Sequence, residues 1–525
     1  MSAAGAENYD FAPDERPLFP GGTFTPRHVA WRKAAYILVA LVAGITGTFN
    51  NGLVNTNVSS IAGGLHLYAA EAAWLPAIYV AFYSSANLLI VKARAQFGVQ
   101  ATMQPLLILY ALAALVQLFL PDFWTAAITR AICGITAGGL VAVVIFNLLQ
   151  IFPAKIRPLA LAIGVNIGQL GPVFARMVSV ETLGQAGWHA LALTEAGLAL
   201  LTLVLLNLFP LPPSERHKAF EPLDFVTIAL TVPALVLICG VLGVGRQHWW
   251  FDTPWLGWML VAAIPLVAAA ITIERSRKNP LLQMDWIGSR ELLRFAAIAI
   301  VVRIALAEQT YGAVGLLTQS GLTNDQLREL FAWVAVAMVA GTATMALTLN
   351  PEHPERLRYQ VLAAALIIAL GAWLDTSSNN LTRPAQLIWS QALIGFGTCM
   401  FLGAALLFGF VKVLQRGPAY LVSFLVLFSS TQNLGGLGGS ALLGTYQTVQ
   451  ARAHAGALSE QLVSSNPLVA DRLQSGLIPL NQAVNREAAV LAFNDTFWLV
   501  TGIALLTAAF IFALIVIHRP RKAEQ

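Results

Sequence analysis

Fourteen stretches of roughly twenty apolar residues, separated by short polar connections, run through this chain from Ala34 to Ile517. About twenty apolar residues of helix cross the hydrocarbon core of a bilayer. Inside that core every backbone polar group needs a partner within its own segment, so each stretch must be helical. With 57% hydrophobic and 11% charged residues, the chain reads as an all-α polytopic membrane protein. The predicted spans lie near 34–58, 73–91, 102–120, 124–149, 158–180, 188–209, 224–244, 255–273, 295–317, 330–349, 359–374, 385–411, 418–446 and 491–517.

Lysine and arginine set the orientation of such a chain. With the amino terminus inside, the inner segments hold 22 of the 31 basic residues. Six (Arg246, Arg328, Arg383, Arg452, Arg472 and Arg486) fall on the outer face, and Arg130, Arg176 and Arg303 lie within spans. Both termini are therefore expected in the cytoplasm. Residues 1–33, polar and proline-rich, read as a cytoplasmic leader, disordered over Asp10 to Pro26, and 518–525 as a cytoplasmic tail. Between them the expected organisation is a six-helix bundle over 34–209, a linker over 210–294 and a second six-helix bundle over 295–517. The linker holds two inserted spans and a segment, Glu274 to Arg294, whose interleaved apolar and charged residues suit a helix on the membrane surface. The second bundle includes a long outer loop, 447–490, expected to form a short helix or a helical hairpin above the membrane.

Nothing in the sequence supports catalysis. It has no HExxH, no GxxxxGK[ST] and no soluble part large enough for a nucleotide domain. No cofactor, metal or nucleic-acid partner is indicated, and Cys133, Cys239 and Cys399 read as small core residues. Any energy for transport must come from an ion gradient or from the substrate's own.

Charges deep in a span are costly and mark functional candidates. Here they are Arg130, Arg176, Glu195, Arg303 and Glu308. Arg176 and Glu195 stand at similar depth on consecutive antiparallel spans, which makes them a candidate ion pair. Glu308 shares a helical stripe with Tyr311, Gly312 and Gly315, and Arg303, five residues away, points elsewhere and needs a partner from another span. Glu308, and after it Glu195, are the candidate proton-loading carboxyls. Two amide-bearing stripes (Asn50 and Asn57 in the first span; Asn166, Gln169 and Arg176 in the fifth) are candidate cavity walls or interhelical hydrogen-bond glue. Gly435, Gly436, Gly438 and Gly439 permit close helix approach.

Several local patterns, in order and spacing, resemble one transporter family. They are Asn55 to Gly63 closing the first span, Trp74 and Tyr79 in the second, Arg130 and Gly134 in the fourth, and Gly168, Gly171 and Pro172 in the fifth. Asn279-Pro280-Leu281-Leu282 with Ser289-Arg290, Leu434-Gly435-Gly436 to Gly439, and Phe497-Trp498 complete the set. Together they resemble the fourteen-span drug:proton antiporter branch of the major facilitator superfamily, the EmrB type of multidrug exporter. The likeness extends over nearly the whole chain from the first span. The chain departs from that pattern at Asn50, where the family has an aspartate, and at Gln432, where it has a basic residue. It also departs at Val91 to Gly98, which lacks the aspartate of the family's loop between spans two and three.

The resemblance implies a major facilitator fold and an inner-membrane exporter of amphipathic aromatic or lipophilic compounds, driven by proton antiport. It also implies a periplasmic adaptor and an outer-membrane channel as partners, for which 447–490 is the docking candidate. Arg130 and Arg176 would bias the cavity towards anions, with Arg303 and Tyr311 as further lining candidates. Asn50 in place of a carboxylate motivates the alternative, an importer or facilitator without proton coupling. A membrane-embedded enzyme or receptor is the remote alternative.

Overall fold

A computed structural model describes residues 15–17, 22–178, 188–349, 356–463, 465–474 and 476–517. The first fourteen leader residues and the tail 518–525 lie outside it. Among the described residues fourteen long helices follow one another: α1 Ala30–Thr56, α2 Trp74–Phe97, α3 Val99–Phe119, α4 Phe123–Leu149, α5 Pro158–Met177, α6 Trp188–Leu208, α7 Pro222–Val244 and α8 Pro254–Ser276. After them α9 runs through Arg290–Ala307, a π segment Glu308–Ala313 and Val314–Gln319. The series ends with α10 Asn324–Thr348, α11 Arg356–Asp375, α12 Ile388–Arg416, α13 Leu421–Glu460 and α14 Leu477–Ile517. Thirteen are long and apolar enough, each as a single helix, to cross a membrane. The π segment divides the remaining one, α9.

The helices pack as a repeat. In the first half α1 lies against α4, α5 and α6, α2 against α4, and α3 against α4 and α6. The same pairings recur eight helices later: α9 against α13 and α14, α10 against α12, and α11 against α12 and α14. This makes two like six-helix bundles, as in transporters built from parallel repeats. They meet through α2 with α13, and through α5 with α10 and α12. The inserted pair α7 and α8 packs on α2 and reaches α13.

Charge fixes the inserted pair at the end that carries the start of α1 and the end of α14, called inner below. Lys92 Nζ at the end of α2 reaches Asp224 Oδ2 at 2.5 Å. Arg277 at the end of α8 binds Asp224 at 2.8 Å, Glu221 at 2.9 Å and Glu274 at 2.9 Å. Glu274 also accepts from Thr227 at 2.5 Å. Beside this network the chain turns from α2 directly into α3 at Gly98, whose φ of +90° would strain any residue bearing a Cβ.

At the inner end the linker before α9 contains a single turn, Met284–Ile287, with Leu281, Leu282 and Trp286 buried against α2 and α13. Its backbone is also anchored inward, Leu282 N donating to Glu274 at 2.9 Å and Gln283 N to Ser423 Oγ at 2.7 Å. The leader, expected to be disordered up to Pro26, is held in place in its last part. Thr23 and Thr25 are buried, Phe24 N donates to Pro213 O at 3.0 Å, and Gln150 Nε2 donates to Thr23 Oγ1 at 3.1 Å.

At the outer end α13 and α14, of 40 and 41 residues, are each about 60 Å long. That is roughly twice the bilayer core, so both project beyond it and form a helical hairpin with the short helix Pro467–Gln474 at its tip.

Candidate functional site

Glu308 is fully buried at the first residue of the π segment of α9. A π turn inserts a residue into the i→i−4 ladder and is frequent at functional sites. Small residues let it form here. A Cβ on Gly312 would come within 2.9 Å of Phe497 on α14, and one on Gly315 within 2.8 Å of Phe493.

Opposite Glu308 stands Asp375, the last residue of α11, buried at 1% exposure. Gln391 of α12 bridges them. Its amide Nε2 donates to Glu308 Oε1 at 3.1 Å and to Asp375 Oδ2 at 2.7 Å. The backbone carbonyl of Gln391 in turn accepts from Gln309 Nε2 at 3.1 Å. Both carboxyls therefore sit within hydrogen-bond distance of the same nitrogen. Among the described residues no lysine or arginine forms an ion pair with either. Charging both in this dry setting would carry the desolvation cost of two ions, several kcal/mol each, with no counter-charge to offset it.

Gly312 stays beside Glu308, a Cβ there lying 3.4 Å from Glu308 Cγ, and faces α14 together with Gly315. The Tyr311 hydroxyl accepts from Arg246, in the outer connection between α7 and α8. Arg303 does not face Glu308. It crosses to α13, where Nε donates to the backbone carbonyl of Gln432 at 3.2 Å. Gly435 and Gly436 make that crossing possible, since a Cβ at either would lie 2.9 Å from Arg303 Cβ or 3.1 Å from its Nε.

Arg303 and Gln169 both line a cavity of about 130 Å³ between the two bundles. Its wall includes Tyr83, Asn87 and Arg94 from α2 and Phe428, Gln432 and Asn433 from α13. Two guanidinium groups and no carboxylate line it. The Arg94 guanidinium lies over the Phe146 ring at 5.0 Å, and the buried amide atoms of Gln432 have no hydrogen-bond partner. The cavity is smaller than the roughly 300–1,000 Å³ of sites for drug-sized molecules, so a ligand of that size enters only when the bundles part.

The other candidates have local duties. Glu195 pairs with Arg130, not with Arg176, because α6 packs on α1 and α3 and presents Glu195 towards α4. Arg176 instead lies over the ring of Phe331 at 5.3 Å. Asn50 Nδ2 donates to Tyr110 Oη at 2.7 Å inside the first bundle. Asn57 Nδ2 donates to Leu53 O of its own helix at 2.9 Å. Asn166 crosses between bundles, donating to Thr342 Oγ1 at 3.1 Å and Cys399 O at 2.9 Å. All three cysteines are free and buried.

Asp375 and Gln391 are absent from the sequence-derived candidates. The apolar run stops at Leu374, which placed Asp375 in a loop, and Gln391 is one amide among many. The available signal was a carboxyl one residue past a span end, at the same outer end of its helix as Glu308.

Comparison with known proteins agrees with this fold. The family model for the Major Facilitator Superfamily matches residues 39–459. The multidrug export protein EmrB of Escherichia coli K12 is 24% identical over 406 residues, covering 73% of this chain and 76% of that protein. The colistin resistance protein EmrB of Acinetobacter baumannii is 20% identical over 414 residues, covering 75% and 78%. Among solved structures, the human organic anion transporter MFSD10 superposes with a TM-score of 0.53 at 12% identity, over 91% of this chain and 100% of that one. The xylose transporter XylE from E. coli, partially occluded and inward open, gives 0.53 at 13% identity over 92% and 99%. The protein is thus a multi-pass membrane transporter and not an enzyme, and the chain belongs to the major facilitator superfamily.

Proposed function

We propose that this protein is a proton-coupled exporter of amphipathic aromatic or lipophilic compounds in a bacterial inner membrane, with both termini cytoplasmic. The observation that carries the reading is the Glu308–Gln391–Asp375 cluster on the helix that also carries Arg303 into the central cavity. Five residues of helix, roughly 7.5 Å, separate the proton-holding carboxyl from the substrate-facing guanidinium. Substrate binding and proton release then act on one element. When the bundles rock, α9 shifts against α11 and α12, and the shared proton is exposed or withdrawn.

The cavity's two guanidiniums, with Tyr83 and Phe428, favour an aromatic compound carrying a carboxylate, sulfonate or phenolate. The multidrug export relatives support efflux as the direction. The projecting hairpin of α13 and α14 offers the surface for a periplasmic adaptor that joins an outer-membrane channel.

Flux in proteoliposomes tests the reading. A panel of labelled aromatic anions is loaded on one side and a pH gradient is imposed in either direction. Antiport requires that accumulation follow the gradient and reverse with it. Flux that ignores the pH gradient and only dissipates the substrate's own would replace this reading with a facilitator.

A further inference from the structure

We propose that the inner end of the second bundle holds a binding site for an anionic phospholipid of the leaflet on that side. The site is a cavity of about 450 Å³ among α9, α11, α12 and α14, within the usual range of about 300–1,000 Å³ for ligand sites. It shares no lining residue with the cavity between the bundles.

Its two ends differ in chemistry. Arg290 and Arg294 from the first turns of α9, Arg358 from the first turn of α11 and Lys412 near the end of α12 form the rim, with Glu291 as the one carboxylate. Lys412 reaches Glu291 at 2.7 Å, which leaves the arginines in excess. Arg358 and Lys412 converge over the ring of Phe408, at 5.8 and 5.9 Å from its centre. Deeper in, the walls are Ile298, Phe401, Ala405, Ile511 and Ile515, which have no hydrogen-bonding side-chain group. Ile298 lies eight residues along α9 from Arg290, roughly 12 Å below the rim.

This polarity selects the occupant. A free phosphate would satisfy the rim and leave the apolar depth unfilled, and a neutral lipid would fill the depth and leave the arginines unmatched. An anionic phospholipid does both, its phosphodiester at the level of the helix ends and an acyl chain between the helices. Basic pockets between helices on this side of a membrane are suited to such headgroups. The same helices expose Leu293, Phe512 and Val516, as lipid-facing surfaces do.

The site is also wired to transport. Phe295 in its wall packs against Phe424 and Phe428 of α13, with ring centres 5.8 and 6.5 Å apart. Phe428 in turn lines the central cavity. Lipid occupancy would therefore brace α9 against α13 at the cavity's inner end.

Native mass spectrometry of the purified full chain, titrated with phosphatidylglycerol and with phosphatidylcholine, tests the site. Wild type should retain one phosphatidylglycerol far more tightly than any phosphatidylcholine, and excess inorganic phosphate should not displace it. Removing two rim charges in R358Q/K412Q should weaken that retention about 30-fold, at about 1 kcal/mol per cation near the surface. Ile298→Trp, which fills the depth and leaves the rim intact, should abolish it. Equal retention of the two lipids by wild type would overturn the proposal, as would unchanged phosphatidylglycerol affinity in both variants or displacement by phosphate alone. Thermal unfolding of each variant without lipid separates loss of the site from loss of the fold.

Discussion

Glu195→Gln puts the reading of the first bundle at risk. Arg130 is 2% exposed, Glu195 is not exposed at all, and the two form an ion pair between α4 and α6. The Arg130 guanidinium keeps one buried nitrogen, Nη1, without a partner even so. Breaking a buried pair from one side costs about 3–5 kcal/mol, because the surviving charge stays desolvated. Glutamine still offers an acceptor oxygen, so the lower end, about 3 kcal/mol, is expected. For a bundle of this size that lowers Tm by about 6–12 °C, at about 2–4 °C per kcal/mol. Replacing both partners, in R130M/E195L, should recover most of the loss, since well-packed apolar residues substitute for buried pairs at little or no cost. The assay is thermal unfolding of purified protein across the full double-mutant cycle. Single variants that melt with wild type, or a double variant worse than the sum of the singles, would refute the pair as a structural clamp. Glu195 would then return as a proton carrier.

Three further outcomes follow from the same geometry. Arg303→Gln should weaken binding of an aromatic anion about 10- to 150-fold, the loss of about 1.5–3 kcal/mol from a charged hydrogen bond, with little effect on a neutral analogue in equilibrium binding. Arg277→Gln should destabilise the inner network by about 3–5 kcal/mol, while Lys92→Gln should cost about 1 kcal/mol, because Arg277 still neutralises Asp224; thermal unfolding reads both. Deleting 455–485 should abolish resistance in cells and spare flux in vesicles if the hairpin docks an adaptor, and equal loss of both would make it a support of the fold.

Much of the fold was legible because lipid imposes a simple rule, one apolar helix per crossing, and the spans follow from it. The contents of the site were less legible. Depth along a helix can be counted from sequence, but azimuth and neighbourhood cannot. Arg176 and Glu195 matched in depth on consecutive spans, yet α6 sits beside α1 and α3, and Arg130 took the carboxylate. A π turn leaves no mark in hydropathy, and the bond from Arg246 to the Tyr311 hydroxyl could not be read from the stripe that begins at Glu308. Asp375 was lost because its helix continues one residue past the apolar run. The buried Glu274 read as a charge of the connecting segment for the same reason, and Asp224 stood unmarked at the first residue of its predicted span.

The central claim is that one proton held between Glu308 and Asp375 drives export. Gradient-driven flux and substrate exchange, measured side by side in proteoliposomes containing wild type, E308Q or D375N, test it directly. Exchange needs only the moving bundles, whereas net uphill flux needs the proton. The account predicts that both variants retain exchange and lose accumulation against a gradient. Accumulation by E308Q at the wild-type rate, with unchanged dependence on pH, would contradict it.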